Sequence, residues 1–191
     1  MGIQWVGNLL YPGFELGGKL FVSHISFPPA LTEDEALQIE VNAPPALPKR
    51  NPAGHKGSFG QALFIAGAAN YYGAPYYAAM SFLKAGGGYA RLATPRSLPP
   101  LLASNGGEIV YLPQRETEVS SLAQSNQADL LDITTKMDFV VMGPGLSLHE
   151  ETQQLVRELA ARIDKPLLID GDGLTAVHQE PDCLRQRSAP T

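Results

Sequence analysis

Apolar residues in this chain come in short runs, most of them bounded by glycine or proline, and the spacing becomes regular from residue 49 onward. Ala62-Leu63-Phe64-Ile65-Ala66 is unbroken and lies between Gly60 and Gly67, which predicts a strand buried on both faces. Ala78, Ala79, Phe82 and Leu83 follow at helical spacing. Pro75 suits the first turn of that helix, where no N–H is needed, and Gly86-Gly87-Gly88 ends it. Tyr89 to Thr94 predicts a second strand. Phe139 to Met142 predicts a third, closed by Gly143-Pro144-Gly145. Ser147 with Glu150 three residues later has the form of a capping box, ahead of a helix with the stripe Leu155, Val156, Leu159 and Ile163. Pro166 opens a fourth strand, Leu167-Leu168-Ile169, which ends at Asp170-Gly171-Asp172-Gly173. Between Gln114 and Lys136 the pattern is weak, with Ala128 to Leu131 suggesting helix.

The front of the chain reads differently. Residues 1–29 form an end piece in which Leu9 to Gly13 and Gly17 to Ile25 predict two short strands around a glycine turn, a pair unable to bury a core by itself. Residues 30–48 are a polar, proline-punctuated connector, which places a boundary near Pro48 and a domain over 49–191. Strands that alternate with helices predict an α/β fold with a mainly parallel sheet covered on both faces. In such sheets the ligand lies beyond the carboxyl ends of the strands. Gly67-Ala68-Ala69, Gly143-Pro144-Gly145 and Asp170-Gly171-Asp172-Gly173 would then share one edge.

Composition narrows the function classes. The 191 residues carry a net charge of -5, and lysine and arginine are scattered, which argues against non-specific nucleic-acid binding or an anionic membrane surface. Cys183 is the only cysteine, so no internal disulfide forms and a reducing cytoplasm is the expected compartment. No apolar run approaches spanning length.

Candidate chemistry centres on the glycine clusters. His55-Lys56-Gly57-Ser58-Phe59-Gly60 leads into the first strand, and Lys56 offers a point charge for a phosphate. The run is neither a Walker A loop nor a Gly-x-Gly-x-x-Gly fingerprint. Gly67 and Gly143 to Gly145 are turns where bare backbone can approach a ligand. Asp170 and Asp172 either stabilise their turn or hold Mg2+ near phosphates. Tyr71, Tyr72, Tyr76 and Tyr77 suit packing or an oligomer contact more than a base-stacking platform. His24, His149 and His178 lack the spacing of a metal site or a triad.

Four motifs resemble, in order, the NAD(P)H-hydrate dehydratase family: His55-Lys56-Gly57-Ser58-Phe59-Gly60; Gly67-Ala68-Ala69 with Tyr72 and Ala74; Met142-Gly143-Pro144-Gly145-Leu146; and Leu168-Ile169-Asp170-Gly171-Asp172-Gly173-Leu174. The resemblance covers residues 49–191 and implies a ribokinase-like three-layer sandwich. Residues 1–29 resemble the last strands of an NAD(P)H-hydrate epimerase domain. The family's reaction is implied too: ADP or ATP, with Mg2+, phosphorylates the ring hydroxyl of S-NADHX or S-NADPHX, phosphate leaves, and NAD(P)H is restored. Ala74, Gly143, Gly145, Gly67 and Lys56 are the implied substrate-binding residues. The family's later Thr-Pro-His and Gly-Thr-Gly-Asp motifs, the second carrying the catalytic aspartate, have no counterpart up to Thr191. The expectation is therefore a sheet truncated at its C-terminal side, with little or no turnover from the chain alone. Two alternatives stay open: a non-catalytic nucleotide-binding fragment, and a small-molecule kinase of the same fold.

Overall fold

The computed structural model describes residues 6–21, 23, 26, 28–32, 36, 46–47, 49–185 and 187–191. The chain divides into two units, Met1–Ala46 and Leu47–Thr191.

In the first unit a 3-10 turn, Val6–Asn8, precedes two one-turn helices, α1 (Gly13–Leu16) and α2 (Pro29–Thr32). The expected strand over Leu9 to Gly13 is instead a turn that runs into α1, closed by Phe14 N–H donating to the Leu10 carbonyl. Pro12 stands at the N-cap of α1, and with no N–H it could not have served a strand ladder there. Of the second expected strand, Gly17 to Phe21 and Ser23 are not in a strand, while Val22, His24 and Ile25 lie outside the described residues.

The second unit carries the sheet. Its strands are β1 (Gln61–Ile65), β2 (Tyr89–Pro95), β3 (Val110–Gln114), β4 (Phe139–Met142) and β5 (Leu167–Ile169), in the order β3-β2-β1-β4-β5. All pairings are parallel; Phe64, for example, stands between Leu92 and Val141. The helices are α3 (Gly73–Lys84), α4 (Pro99–Leu102), α5 (Gln127–Thr135), α6 (Glu150–Arg162), α7 (Asp172–Gln179) and α8 (Asp182–Arg185). Alternation along β1 sends Leu63 and Ile65 to one face, where they pack with Val140, Met142, Leu130 and the α6 residues Leu155, Val156 and Leu159. Ala62 and Phe64 go to the other, against Ala79, Leu92, Leu98 and Leu102. Three layers result, as the alternating pattern predicts.

The four expected strands are present, and β3 is an addition. Its pattern was obscured because it is an edge strand of half-exposed residues with Pro113 inside it, and proline is tolerated at an edge where no ladder N–H is required. The capping box is a correction. His149, not Ser147, occupies the N-cap of α6, with no side-chain cap bond. Ser147 lies in the left-handed region at φ +75°, and its Oγ accepts from the His149 N–H at 3.2 Å. At the other end of α6, the Arg187 guanidinium donates to the carbonyls of Ala160 (2.8 Å), Ile163 (2.5 Å) and Lys165 (2.9 Å), capping the helix from the tail.

Strand order reverses direction between β1 and β4: β2 and β3 are added on one side of β1, β4 and β5 on the other. A crevice opens at such a reversal, beyond the carboxyl ends of the two strands.

Candidate functional site

That crevice is flanked by Gly67, two residues after β1, and Gly143, directly after β4. The two loops are bonded to each other. Gly67 N–H donates to the Pro144 carbonyl at 3.0 Å, and Gly143 N–H donates to the Ile65 carbonyl at 3.1 Å. These crossed backbone bonds bring the two predicted glycine clusters to one rim, and β5 delivers the third. Gly143 takes φ +130°, and a Cβ built on it would stand 1.8 Å from the Asp170 carbonyl oxygen, so the loops after β4 and β5 touch backbone to backbone. No side chain fits between them.

Gly145 faces the opening of α3. At φ +62° it takes the left-handed conformation, and a Cβ there would lie 2.7 Å from Tyr71 Cβ and 3.2 Å from Ala74 Cβ. Ala74 and Gly145 thus pack directly against each other, with no room for a side chain on Gly145, and their small size keeps the wall of the crevice low at that point. Beside them the first amides of α3 have no intrahelical partner.

Lys56 is not brought to this rim. It lies in the 3-10 turn Lys56–Phe59 ahead of β1, at the amino ends of the strands, with its ammonium 4.7 Å from the centre of the Tyr89 ring. Parallel strands separate their two ends, so a residue preceding β1 and one following it face opposite edges of the sheet. Lys56, one of the expected substrate-binding residues, is thus placed at the other edge of the sheet from Gly67, Gly143 and Gly145. The structural work of its turn is local: His55 Nδ1 accepts from Gly57 N–H, and Gly88 N–H donates to the carbonyls of Phe59 and Gly60.

The two aspartates separate as well. Asp172 Oδ2 accepts from Ser147 N–H at 2.9 Å, so it supports the loop after β4 from the start of α7. Asp170 is exposed at the end of β5. Among the described residues no group of three His, Cys, Asp or Glu could hold a metal ion. One oxygen of Asp172 is engaged by a backbone amide.

A hairpin-like loop that the sequence pattern did not reveal closes one flank. Glu116 and Leu122 make an antiparallel bridge, and the Ser120 carbonyl accepts from Ala69 N–H at 3.0 Å, tying the loop to the exit of β1. Its base is anchored to α6 by buried hydroxyls. Thr152 Oγ1 donates to the Leu122 carbonyl, which leaves Ser121 Oγ to donate to Thr152 and Thr117 Oγ1 to donate to Ser121, each at 2.8 Å. At the tip, Glu118 Oε1 meets His149 Nε2 at 3.1 Å. Glu118 is held below the usual carboxylate value, first by a backbone hydrogen bond and then by His149. Burial pushes the Cys183 thiol up, keeping it in the unreactive form away from the rim. Asn70, Ser120 and Ser147, all at positive φ, belong to the three loops that build this end of the sheet. Strained backbone of this kind concentrates where a ligand is gripped.

Comparison with known proteins accords with this geometry. A model of the NAD(P)H-hydrate dehydratase family matches residues 62–191. The chain is 50% identical over 190 residues to the bifunctional NAD(P)H-hydrate repair enzyme Nnr of Thermofilum pendens, an alignment covering all of this chain and 36% of that protein. A ribokinase-like superfamily protein from Enterococcus faecalis superposes with a TM-score of 0.59 at 22% identity, covering 71% of this chain and 45% of its own. The ADP/ATP-dependent NAD(P)H-hydrate dehydratase of Bacillus subtilis, co-crystallised with ATP and Mg2+, superposes with a TM-score of 0.51 at 25% identity, covering 67% and 43%. The chain therefore spans about a third of the curated relative and less than half of either solved neighbour. The sheet is of the ribokinase-like α/β class. The match of the family model over residues 62–191 and the 50% identity to the Thermofilum pendens protein show that the chain belongs to the NAD(P)H-hydrate dehydratase family.

Proposed function

We propose that this chain forms the substrate-gripping part of an ADP- or ATP-dependent dehydratase that returns S-NADHX and S-NADPHX to NADH and NADPH. The chemistry it would serve has a simple physical logic. Hydroxide is a poor leaving group, so the ring hydroxyl first takes a phosphoryl group from the nucleotide. The C–O bond then breaks with phosphate departing, the neighbouring ring carbon gives up a proton to solvent or a base, and the ring double bond returns. The chain's own contribution is placement. Glycine backbone at 143–145 and the small side chain of Ala74 let a flat ring approach closely, and fixed orientation is worth a large share of such a barrier. Mg2+ would accompany the nucleotide phosphates, with the exposed Asp170 and the second oxygen of Asp172 as its candidate contacts at the rim. The meeting of Ala74 with Gly145 at the β1/β4 reversal is the single observation that carries the reading.

Calorimetric titration of the chain with S-NADPHX tests it. Saturable binding is expected, with Gly145→Val weakening it at least about tenfold, equivalent to ~1.4 kcal/mol. Absence of binding to the wild-type chain, or full affinity in the variant, would sink the proposal.

A second reading is binding without turnover, favoured by a rim built from glycine backbone and the methyl group of Ala74. Following the reduced-nicotinamide absorbance with ATP, ADP and Mg2+ present separates the two. Recovery faster than in a protein-free control removes the binding-only reading. The substrate pool and the lone Cys183 both suit a reducing cytoplasm, and no helix among the described residues is long and apolar enough to cross a membrane.

A further inference from the structure

Residues around the first turns of α3 look two ways. Tyr71 and Ala74 face Gly145 and the crevice. Tyr72, Gly73, Tyr76 and Tyr77 face a hollow of about 440 Å3 completed by Leu101 and Leu102 of α4 and by Asn105. That volume is within the range of small-ligand sites.

The hollow is built of unusual material for a surface. Tyr77 is 69% exposed, Tyr72 42% and Leu101 57%. The Tyr76 ring meets the Tyr77 ring edge-on, with centroids 5.2 Å apart and planes at 64°. The hydroxyls of Tyr72, Tyr76 and Tyr77 and the amide of Asn105 have no hydrogen-bond partner in the structure. No lysine, arginine, aspartate or glutamate lines the wall. A phosphate or other ion would find no countercharge there. Where the sequence pattern alone favoured packing or an oligomer contact for these tyrosines, their place in the hollow gives a flat, neutral heterocycle aromatic rings to stack on and an amide able both to donate and to accept along its edge.

We propose that the hollow between α3 and α4 holds the adenine base of the dinucleotide, while the hydrated nicotinamide ring lies at Ala74 and Gly145. This rests on the reading under Proposed function and extends it to the other half of the substrate. Continuity is the reason for choosing this occupant. Gly73 lines the hollow and the adjacent Ala74 lines the crevice, so the two sites are separated by the width of one helix, about 10 Å. Two nucleotides joined through a diphosphate can reach around that width; one nucleotide cannot occupy both sides. An adenine from the ADP or ATP co-substrate has the same chemistry, and the experiment tells the two sources apart.

The full 191-residue chain would be titrated with S-NADPHX, with the hydrate of reduced nicotinamide mononucleotide, and with ADP. Wild-type protein would be compared with Tyr77→Ala and Asn105→Ala, and circular dichroism would confirm that each variant is folded. Loss of one stacked base by alanine substitution predicts about a tenfold weaker S-NADPHX complex for Tyr77→Ala, with the mononucleotide affinity unchanged. Asn105→Ala should weaken the S-NADPHX complex and leave the mononucleotide affinity unchanged. Unchanged S-NADPHX affinity in folded Tyr77→Ala overturns the proposal, as does an equal loss for the mononucleotide. Selective loss of ADP binding would overturn it in favour of the co-substrate. Altered sedimentation with unaltered affinity would overturn it in favour of a contact between copies. Failure of wild-type chain to bind either nicotinamide ligand would instead remove the reading on which the proposal rests.

Discussion

At the scale of single residues, small groups in strained or crowded positions define the rim, and the charged ones support it. Asp172 shows the distinction. Its position after β5 made it a candidate metal ligand, and one of its oxygens is engaged by Ser147 N–H. Asp172→Ala should destabilise the fold by ~1–3 kcal/mol because it leaves that amide unpaired, while Asp172→Asn, which keeps an acceptor, should cost less. Urea unfolding of the two variants measures this, and equal losses would contradict the assignment. Glu118 supplies a pH test. A carboxylate with a lowered folded-state pKa stabilises above its unfolded value and loses that contribution as pH falls through the folded one. The attachment of the 116–122 loop to His149 should therefore weaken on acidification from about pH 4.5 downward, 4.5 being the ordinary value for Glu118. Replacement His149→Gln should move the Glu118 midpoint only part of the way back toward that value, since the backbone hydrogen bond is the larger cause and remains. Carboxyl-detected NMR titration would show the shift, and an unmoved midpoint would refute the coupling.

At the scale of elements, α6 links the site to the tail of the chain. It starts at His149 beside the rim loops and ends under Arg187, whose guanidinium satisfies carbonyls that no backbone N–H reaches. Burial lowers the pKa of Arg187, a sign of how far the group is drawn into the protein. Arg187→Ala should cost ~1–3 kcal/mol by stranding those carbonyls, and hydrogen exchange should show the loss first in the last turn of α6. Protection unchanged there would mean water replaces the cap freely. Legibility differed between elements for identifiable reasons. β1, β4 and the α6 stripe of Leu155, Val156, Leu159 and Ile163 could be read because burial imposes a period on them. β3 could not, since Pro113 cuts short the apolar run Ile109 to Leu112 and the edge position gives it no clean alternation. The 116–122 loop owes its shape to hydroxyls contributed partly by Thr152, thirty residues away, and no local pattern announces such a partner.

At the scale of the molecule, all five strands and both cores belong to the unit Leu47–Thr191. A chain lacking residues 1–46 should keep the urea unfolding midpoint of the second unit, and a large drop in that midpoint would show that the first unit is required. Within the sheet, Leu63→Ala should cost ~2–5 kcal/mol, because Leu63 is fully enclosed at the centre of the β2-β1-β4 pairing. The chain's residues alone were enough to name the layers, the direction of the strands and the glycine clusters at their ends. Those features follow from short-range physics: burial periodicity, turn chemistry, and the rule that parallel strands share an edge. Which clusters meet depended on strand order and crossovers, properties of contacts far apart in sequence. Folding placed Lys56 at the opposite edge, joined Gly67 to Pro144, set Ala74 against Gly145 and hollowed the wall between α3 and α4. Each of these is a long-range juxtaposition, and a local pattern cannot encode a distance between residues that become neighbours only when the sheet closes.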